Sequence, residues 1–256
     1  MKDYKNTLIE LVGYIAASHP ELSQQLESIV FQGRKGLLRD INFLLSINDS
    51  LLQRSRAQLR QDIFVLSELN FKRNGYFVEF GATNGVDLSN THLLEKEFGW
   101  SGILAEPATI WHDALFRNRS SSIDTRCVWA KTGERLIFNE TNEAELSKID
   151  HIEVADKHVG ARVGGRRYSV ETVSLVDLLV EHGAPTEIDY LSIDTEGSEF
   201  EILECFEFNR FRFKIITCEH NYSPMRHRLS ALLTENGYRQ KYEYISRFDD
   251  WWVLDS

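Results

Sequence analysis

The segment Tyr76–Gly85 has the sequence YFVEFGATNG, a short apolar run followed by a turn that contains two glycines. The run Tyr76–Phe80 predicts a buried strand. Gly81 and Gly85 stand four residues apart, where glycine lets the backbone turn tightly and come close to a ligand. Ligands of open α/β sheets bind beyond the carboxyl ends of the strands. The segment therefore predicts a strand and one wall of a ligand site, with an ordinary strand-to-helix turn as the alternative.

Short apolar runs alternate with helical patterns along the rest of the chain. The further predicted strands are Gly102–Ala105, Thr125–Ala130, Asp189–Ile193 and Phe213–Cys218. The predicted helices are Thr91–Phe98, Ile110–Arg119, Leu175–His182, Glu199–Phe206 and Arg226–Gly237. This alternation predicts a Rossmann-like α/β domain over residues 69–256, with a mostly parallel sheet covered on both faces. No helix separates the closing runs Tyr238–Tyr244 and Trp251–Leu254, which predicts an antiparallel hairpin at one edge.

Two regions depart from this alternation. Residues 1–68 carry apolar side chains at helical spacing and predict a helical N-terminal extension. It could cap the core or mediate contacts in a homodimer, or it could supply part of the substrate pocket. Glu134–Asn139 predicts a hairpin partner strand. Thr141–Arg167 is polar and predicts a long loop, either a lid over the acceptor or a plain surface loop.

The composition excludes several classes of protein. The 256 residues carry a formal net charge of −10, and an acidic surface repels phosphate backbones, so we expect no nucleic-acid partner. No run approaches the roughly 18 apolar residues of a membrane span, and no secretory leader is expected. The three cysteines form no CxxC pair, which favours reduced thiols and a cytoplasmic location.

Carboxylates stand at the ends of the first two predicted strands. The second strand ends in AEP, residues 105–107, where Glu106 could accept hydrogen bonds from both hydroxyls of a ribose. Alternatively, Glu106 precedes Pro107 as an acidic residue at a helix start. Glu79 lies inside the first strand, where a carboxylate needs a partner such as a cationic amino group on a ligand. Together these features predict a nucleoside-containing ligand.

Carboxylates also follow the next two strands of the expected sheet. Asp194, Glu196 and Glu199 lie in the run IDTEGSE, and such a cluster requires a metal, a cationic ligand or raised pKa values. Glu196 and Glu199 could instead cap the following helix. Glu219 and His220 end the neighbouring strand. His220 could be a general base for a hydroxyl, or Asp194 and Glu219 could hold a divalent cation that acidifies it.

The motifs together, in this order, resemble FkbM-type methyltransferases over Gln58–Tyr238. The matching segments are residues 75–82 (GYFVEFGA), 88–91 (LSNT), 94–95 (LE), 99–102 (GWSG), 105–107 (AEP), 188–199 (IDYLSIDTEGSE) and 219–221 (EHN). The resemblance implies a Rossmann-like class I methyltransferase fold with S-adenosyl-L-methionine as methyl donor. It also implies a small-molecule or glycan acceptor that is methylated on a hydroxyl of a sugar, glycan or natural product.

The resemblance also implies roles for individual residues. The methionine end of the donor would be lined by Glu79, Gly81, Asn84 and Gly85, with Ser89 and Asn90 nearby and the ribose on Glu106. The expected donor site is completed by Ala82, Pro107 and Asp194. The catalytic candidates are His220, Asp194 and Glu219. The same three side chains are similar to the metal site of metal-dependent class I O-methyltransferases, which implies Mg²⁺ or another divalent cation.

Two other functions remain open at this point. An NAD-dependent oxidoreductase shares the fold class, although the chain lacks the GxGxxG pattern. A catalytically inactive methyltransferase fold could serve as a binding or scaffold protein, although such a protein has no need of the costly carboxylates. Phe248 and the pair Trp251-Trp252 could stack on a sugar ring or belong to the core.

Overall fold

The structure is a computed structural model that describes residues 49–141, 143, 147–150, 165–243 and 245–255. The helices expected between residues 1 and 48 and most of the expected loop 141–167 lie outside the described residues. The helices are α1 (Asp49–Arg54), α2 (Gln61–Glu68), α3 (His92–Phe98), α4 (His112–Asn118), α5 (Leu175–Glu181), α6 (Glu199–Glu204) and α7 (Arg226–Glu235), with a 3-10 turn at Thr109–Trp111. None of these helices is both long enough and apolar enough to cross a membrane.

The strands form two sheets. They are β1 (Tyr76–Phe80), β2 (Ser101–Ala105), β3 (Ser122–Asp124), β4 (Cys127–Trp129), β5 (Arg135–Glu140), β6 (Lys148–Ile149), β7 (Arg166–Ser174), β8 (Glu187–Ile193), β9 (Arg212–Glu219), β10 (Tyr238–Lys241) and β11 (Asp249–Leu254). The main sheet has the order β10-β11-β9-β8-β1-β2-β3, and the smaller one has the order β4-β7-β5-β6.

The main sheet confirms the predicted α/β class. Strands β3, β2, β1, β8 and β9 are parallel neighbours, in the 3-2-1-4-5 order of a Rossmann sheet. Strand β11 runs antiparallel to both β9 and β10, so the predicted closing hairpin lies at this edge. The ends of β1 and β8 are in register, with Phe80 opposite Ile193, and this register brings the motifs after the two strands together.

The core lies on both faces of the main sheet because neighbouring strand residues point to opposite sides. Val78 packs on the face covered by α5, α6 and α7, whereas Phe77 packs on the face covered by α2 and α3. Trp251 and Trp252 are buried on opposite faces in the same way. The tryptophan pair therefore belongs to the core and has no free ring face for a sugar.

The smaller sheet corrects two predictions. The segment Thr125–Ala130 was expected as the third strand of the main sheet, but that strand is β3, and residues 127–129 form β4 of the smaller sheet. The chain changes sheet at Arg126, whose backbone N–H and guanidinium both donate to the Asp124 carboxylate. The expected strand at Glu134–Asn139 is β5, and its main partner is β7, which the sequence did not predict.

Candidate active site

A cavity of about 860 Å³, including its open mouth, lies beyond the carboxyl ends of β1, β2 and β8. We call it the larger cavity, and its position beyond the strand ends is the usual place for a ligand in an open α/β sheet. Six of the residues predicted for the donor line it: Glu79, Gly81, Asn90, Glu106, Pro107 and Asp194. The smaller sheet contributes an apolar wall through Phe138 and Ile149. The sequence motifs therefore meet at one site.

The other four predicted donor residues do not line the larger cavity. Ala82 is buried in the core. The side-chain oxygen of Asn84 accepts the N–H groups of residues 86 and 87 and thereby shapes the turn. The carbonyl of Gly85 accepts from Arg119. The Ser89 hydroxyl accepts the N–H groups of residues 91 and 92 at the start of α3. In this structure these residues support the wall of the cavity.

Gly81 allows the ends of β1 and β8 to approach each other. Its φ is +71°, a left-handed conformation that side chains rarely adopt. A Cβ at this position would lie 2.0 Å from the carbonyl oxygen of Asp194. Only glycine therefore fits where the two motifs meet.

Glu106 is buried against the backbone of its own neighbourhood. One carboxylate oxygen accepts the N–H of Thr83 at 2.8 Å, and the other accepts the N–H of Ala108 at 2.7 Å. Burial raises the pKa of Glu106 to about 7, although both hydrogen bonds act in the opposite direction. The hydrogen bond from Ala108 agrees with the expected role of Glu106 as an acidic residue at a helix start. The position of Glu106 in the wall of the larger cavity agrees with the expected ribose contact.

Glu79 has its partners within the protein. Its carboxylate accepts hydrogen bonds from the Ser89 hydroxyl, the Asn90 N–H and the Thr91 hydroxyl. The guanidinium of Arg119 lies 3.6 Å away. The cation that the sequence led us to expect on the ligand is therefore supplied by Arg119.

Arg119 is a supporting residue that the sequence analysis missed. Its side chain is fully buried and also donates to the Glu95 carboxylate at 2.9 Å and to the Thr91 hydroxyl at 2.8 Å. Burial alone would raise the pKa of Glu95, but the Arg119 charge and further hydrogen bonds outweigh it and lower the pKa to about 2. A glutamate at the buried end of a strand predicts that a cation lies nearby, but the sequence does not indicate which residue supplies that cation.

A second cavity of about 300 Å³, including its open mouth, adjoins the first, and we call it the smaller cavity. Leu88, Asn90 and Asp194 line both cavities and so form their common wall. The remaining side chains come from four parts of the chain: Gln58, Gln61, Ile193, Glu219, Phe248 and Asp249. Burial raises the pKa of Asp249 to about 8. Gln58, Gln61 and Asp249 were not predicted as site residues.

Asp194, Glu196 and Glu219 form a carboxylate cluster beside this common wall. One oxygen from each lies within 4.8 Å of the others. Burial, followed by the charge of Asp194, raises the pKa of Glu219 to about 12. Burial raises the pKa of Asp194 as well. Like charges this close need protons or a cation, and carboxylate oxygens are the ligands that hard divalent cations prefer.

The cluster differs in membership from the predicted set. Glu196 joins Asp194 and Glu219, while His220 is not part of the group. Glu199 instead holds its own loop, since its Oε1 accepts the N–H groups of Thr195 and Gly197. The alternative of a structural role at the start of α6 therefore fits Glu199.

His220 is buried behind the cluster. Its Nδ1 accepts the N–H of Tyr222 at 2.9 Å, and its Nε2 lies 3.5 Å from Oδ1 of Asp250. Burial lowers the pKa of the imidazole. A neutral imidazole can accept a proton, and the catalytic role of His220 stays a prediction.

Several solved structures are similar to this chain. The precorrin-6y C5,15-methyltransferase of Geobacter metallireducens has 10% identity and a TM-score of 0.40 over 70% of this chain and 72% of that one. A ribosomal protein L11 methylase of Lactobacillus delbrueckii subsp. bulgaricus has 9% identity and a TM-score of 0.37 over 77% of each chain. The N-terminal domain of human METTL16, solved in complex with SAH, has 12% identity and a TM-score of 0.36 over 76% and 68%. The comparison with curated proteins gave no match.

The family comparison covers the site. The family described as Methyltransferase FkbM domain matches residues 79–240, more than half of the chain. The matched region contains the carboxyl ends of β1, β2, β8 and β9, with the larger cavity and the carboxylate cluster, whereas Gln58, Gln61, Phe248 and Asp249 of the smaller cavity lie outside it. The resemblance expected from the sequence is thereby confirmed, together with the Rossmann-like class I methyltransferase fold. The chain belongs to the FkbM methyltransferase domain family.

Proposed function

We propose that the chain transfers a methyl group from S-adenosylmethionine to a hydroxyl group on a sugar, glycan or natural product. The observation that carries this proposal is the larger cavity at the ends of β1, β2 and β8, which joins Gly81, Glu106 and Asp194. When bound there, the sulfonium of the donor supplies a methyl group that is ready for in-line displacement.

The chain's own residues would bind and align the two substrates. Each Glu106 oxygen already accepts one backbone N–H and retains a lone pair for a ribose hydroxyl. Gly81 keeps the backbone of the cavity floor free of a side chain. Leu88, Asn90 and Asp194 line both cavities, so methyl transfer is proposed to take place beside these residues.

The hydroxyl proton must leave as the new C–O bond forms, and two routes are proposed. In the first, His220 accepts it as a general base. In the second, Asp194, Glu196 and Glu219 hold Mg²⁺ or another divalent cation, which would acidify the hydroxyl. The second route is supported by the mutual proximity of three carboxylates whose negative charges require compensation.

Donor binding is tested by calorimetric titration with S-adenosylhomocysteine. We expect the wild-type protein to bind and Glu106→Gln to bind at least about tenfold more weakly, because a charge-assisted hydrogen bond to ribose is lost. The matched control is Glu134→Gln, an exposed glutamate outside both cavities. Absence of binding by the wild-type protein would contradict the proposal, and binding without methyl transfer to any acceptor would favour a scaffold.

The two routes for the proton make different predictions. If a cation is required, dialysis against EDTA abolishes turnover and Mg²⁺ restores it. If His220 is the base, His220→Ala removes turnover while EDTA has no effect. Mass spectrometry of the product distinguishes an O-methyl from an N-methyl group. Full turnover of His220→Ala in the presence of EDTA would exclude both routes.

Two further expectations remain proposals. A cytoplasmic location is supported by the three cysteines, which form no disulfide: Cys127 and Cys218 are buried, and Cys205 is exposed. A homodimer through residues 1–68, and the domain boundary at residues 68 and 69, rest on the sequence pattern alone. In the described part, α2 shares a hydrophobic core with β1.

A further inference from the structure

Both nitrogens of the His220 imidazole face other groups of the protein. Nδ1 lies 2.9 Å from the backbone nitrogen of Tyr222, which can only donate, so Nδ1 must be unprotonated and its lone pair is already used. The ring proton is then on Nε2, which lies 3.5 Å from Oδ1 of Asp250. The side chain is 1% exposed and is not among the described residues that line the larger or the smaller cavity. A general base needs a lone pair within reach of the hydroxyl, and the lone pair of His220 is directed at Tyr222 instead.

The hydrogen bond from Tyr222 to the imidazole holds a strained loop. Asn221 and Tyr222 have φ values of +41° and +58°, in the left-handed region that side chains rarely adopt. In the same loop, the backbone N–H groups of His220 and Asn221 both donate to the carbonyl of Phe248, at 2.9 Å and 3.2 Å. Successive left-handed residues persist only where their surroundings hold them. The imidazole therefore fixes the course of the chain directly after β9.

This loop carries a side chain that holds Glu219. The amide of Asn221 donates to Oε2 of Glu219 at 2.9 Å. Glu219 in turn belongs to the carboxylate cluster with Asp194 and Glu196. Residues that form hydrogen bonds to a metal ligand fix its orientation, and their loss usually weakens metal binding by about 10–100-fold. A change in the course of the loop would therefore turn the Glu219 carboxylate relative to the other two.

We infer that His220 is a positioning residue for Glu219 and does not itself accept the hydroxyl proton. Its imidazole holds the left-handed loop, and the loop places the Asn221 amide against the Glu219 carboxylate. The inference rests on the proposed function, in which Glu219 is a ligand of the proposed cation. It favours the route through the cation over the route through His220.

The position of the ring proton can be observed directly in the wild-type protein. Nitrogen-15 NMR of protein with labelled histidines distinguishes a protonated from an unprotonated ring nitrogen, and loss of a signal in His220→Asn assigns the ring. We expect an unprotonated Nδ1 and a protonated Nε2 at neutral pH, with and without S-adenosylhomocysteine. A proton on Nδ1 of His220 would overturn the inference, because the Tyr222 N–H would then have lost its acceptor.

Three substitutions separate the acceptor of His220 from its basicity. Oδ1 of asparagine is bonded to Cγ, as Nδ1 of histidine is, and it commonly accepts the N–H two residues further on. His220→Asn can therefore keep the bond to Tyr222 without a basic nitrogen, whereas His220→Ala removes the bond. Asn221→Gly tolerates the left-handed conformation and removes the amide that holds Glu219. The control is His227→Asn, an exposed residue of α7.

Mn²⁺, followed by electron paramagnetic resonance, is the probe for the carboxylate cluster. We expect His220→Asn and the control to bind Mn²⁺ like the wild type. His220→Ala and Asn221→Gly should bind it at least about tenfold more weakly, a difference of about 1.4 kcal/mol. Urea unfolding of the same proteins should show that Asn221→Gly remains folded, so the test does not depend on the stability of His220→Ala.

The possible failures can be told apart. The inference is overturned if His220→Asn binds Mn²⁺ as weakly as His220→Ala, or if His220→Ala or Asn221→Gly binds it like the wild type. Absence of Mn²⁺ binding by the wild-type protein would overturn it together with the cation route. In each case intact binding of S-adenosylhomocysteine leaves the donor half of the proposed function standing. Absence of that binding in the wild-type protein would mean that the proposed function itself has failed.

Discussion

Arg119 supplies the positive charge for Glu79, a buried carboxylate that lines the larger cavity, and for the partly buried carboxylate of Glu95. Its guanidinium lies 3.6 Å from Glu79 and 2.9 Å from Glu95, and it also bonds the carbonyl of Gly85. The turn after β1 and the start of α3 are therefore held by one side chain. The wall of the larger cavity therefore depends on a residue that lies outside its lining.

Replacing Arg119 should destabilise the fold strongly. We expect Arg119→Met to lower the free energy of unfolding by about 3–5 kcal/mol, because two carboxylates stay buried without their cation. Urea unfolding followed by circular dichroism measures the change. Arg117→Met, an exposed position in the last turn of α4, two residues before Arg119, is the control and should change stability by less than about 0.5 kcal/mol. Equal losses for the two variants would contradict this account of Arg119.

Glu106 should make stability depend on pH in a defined window. Its pKa is 4.5 when unperturbed and about 7 in the folded protein, so the folded state retains a proton that the unfolded state has lost. This contribution is present below about pH 4.5 and disappears as the pH rises through about 7. It amounts to at most about 3 kcal/mol, since one pKa unit corresponds to about 1.4 kcal/mol.

Urea unfolding at pH 5, 6, 7 and 8 tests this window. Wild-type stability, and that of the control Glu134→Gln, should fall more between pH 5 and 7 than the stability of Glu106→Gln. Parallel curves for all three proteins would show that Glu106 does not titrate in this range.

At the residue scale, the sequence predicts side chains that follow a strand but not those that reach the site from elsewhere. Glu106, Asp194 and Glu219 stand directly after or at the end of apolar runs, so the fold class alone places them at the site. Asp249 reaches it because β11 runs antiparallel to β9, with Asp249 opposite Glu219. The sequence of one chain does not reveal which residues of β11 and β9 lie opposite each other.

At the scale of elements, the contact between β1 and β8 determines the shape of the larger cavity. The two strands pair from Phe77 to Phe80, and Gly81 then packs on the backbone of Asp194. Any side chain at Gly81 must push the ends of the strands apart. The pairing of β1 with β8 and the shape of the larger cavity are therefore coupled at Gly81.

Gly81→Ala should lower the free energy of unfolding by more than the left-handed backbone conformation alone explains. The control is Gly133→Ala, where φ is +82° and no atom lies within 4 Å of a new Cβ. Gly133→Ala should lower the free energy of unfolding by about 1–2 kcal/mol, because alanine is strained in the left-handed conformation. Gly81→Ala should lower the free energy of unfolding by a further ~1–3 kcal/mol, because the new Cβ overpacks against Asp194. We also expect that this variant no longer binds S-adenosylhomocysteine. Equal losses with intact binding would contradict the close approach.

The main sheet was predictable and the smaller one was not, for a physical reason. Strands of a parallel sheet are buried on both faces and are rich in apolar residues, as in β1 (YFVEF) and β2 (SGILA). Strand β7 has the sequence RRYSVETVS and is buried mainly near its end, so its polar half is typical of a loop. The smaller sheet therefore lacks the signal that identified the larger one.

For the whole molecule, Tyr168 connects the two sheets at the edge of the larger cavity. Its hydroxyl accepts the N–H of Thr109 at 3.0 Å and donates to Glu140 at 2.8 Å. Thr109 follows closely after Glu106 and Pro107. The smaller sheet thus holds the segment that carries the expected ribose contact.

Tyr168→Phe should loosen this connection. We expect a loss of about 1–2 kcal/mol in the free energy of unfolding and three- to tenfold weaker binding of S-adenosylhomocysteine, because the Thr109 N–H loses its acceptor. Thermal unfolding and calorimetry measure the two effects. Tyr76→Phe removes a hydroxyl at the opposite end of β1 and should leave the affinity unchanged. Unchanged affinity in Tyr168→Phe would show that the smaller sheet does not position the donor.

The insertion of β11 between β9 and β10 affects how the protein is made. As the ribosome synthesises the chain, β9 and β10 emerge first and have no strand between them. The main sheet can close only when residues 249–254 have been translated and have left the exit tunnel. Asp249 joins the smaller cavity in the same step. A nascent chain that is stalled before this point would carry the motifs that follow β1, β2 and β8 without the complete lining of the smaller cavity.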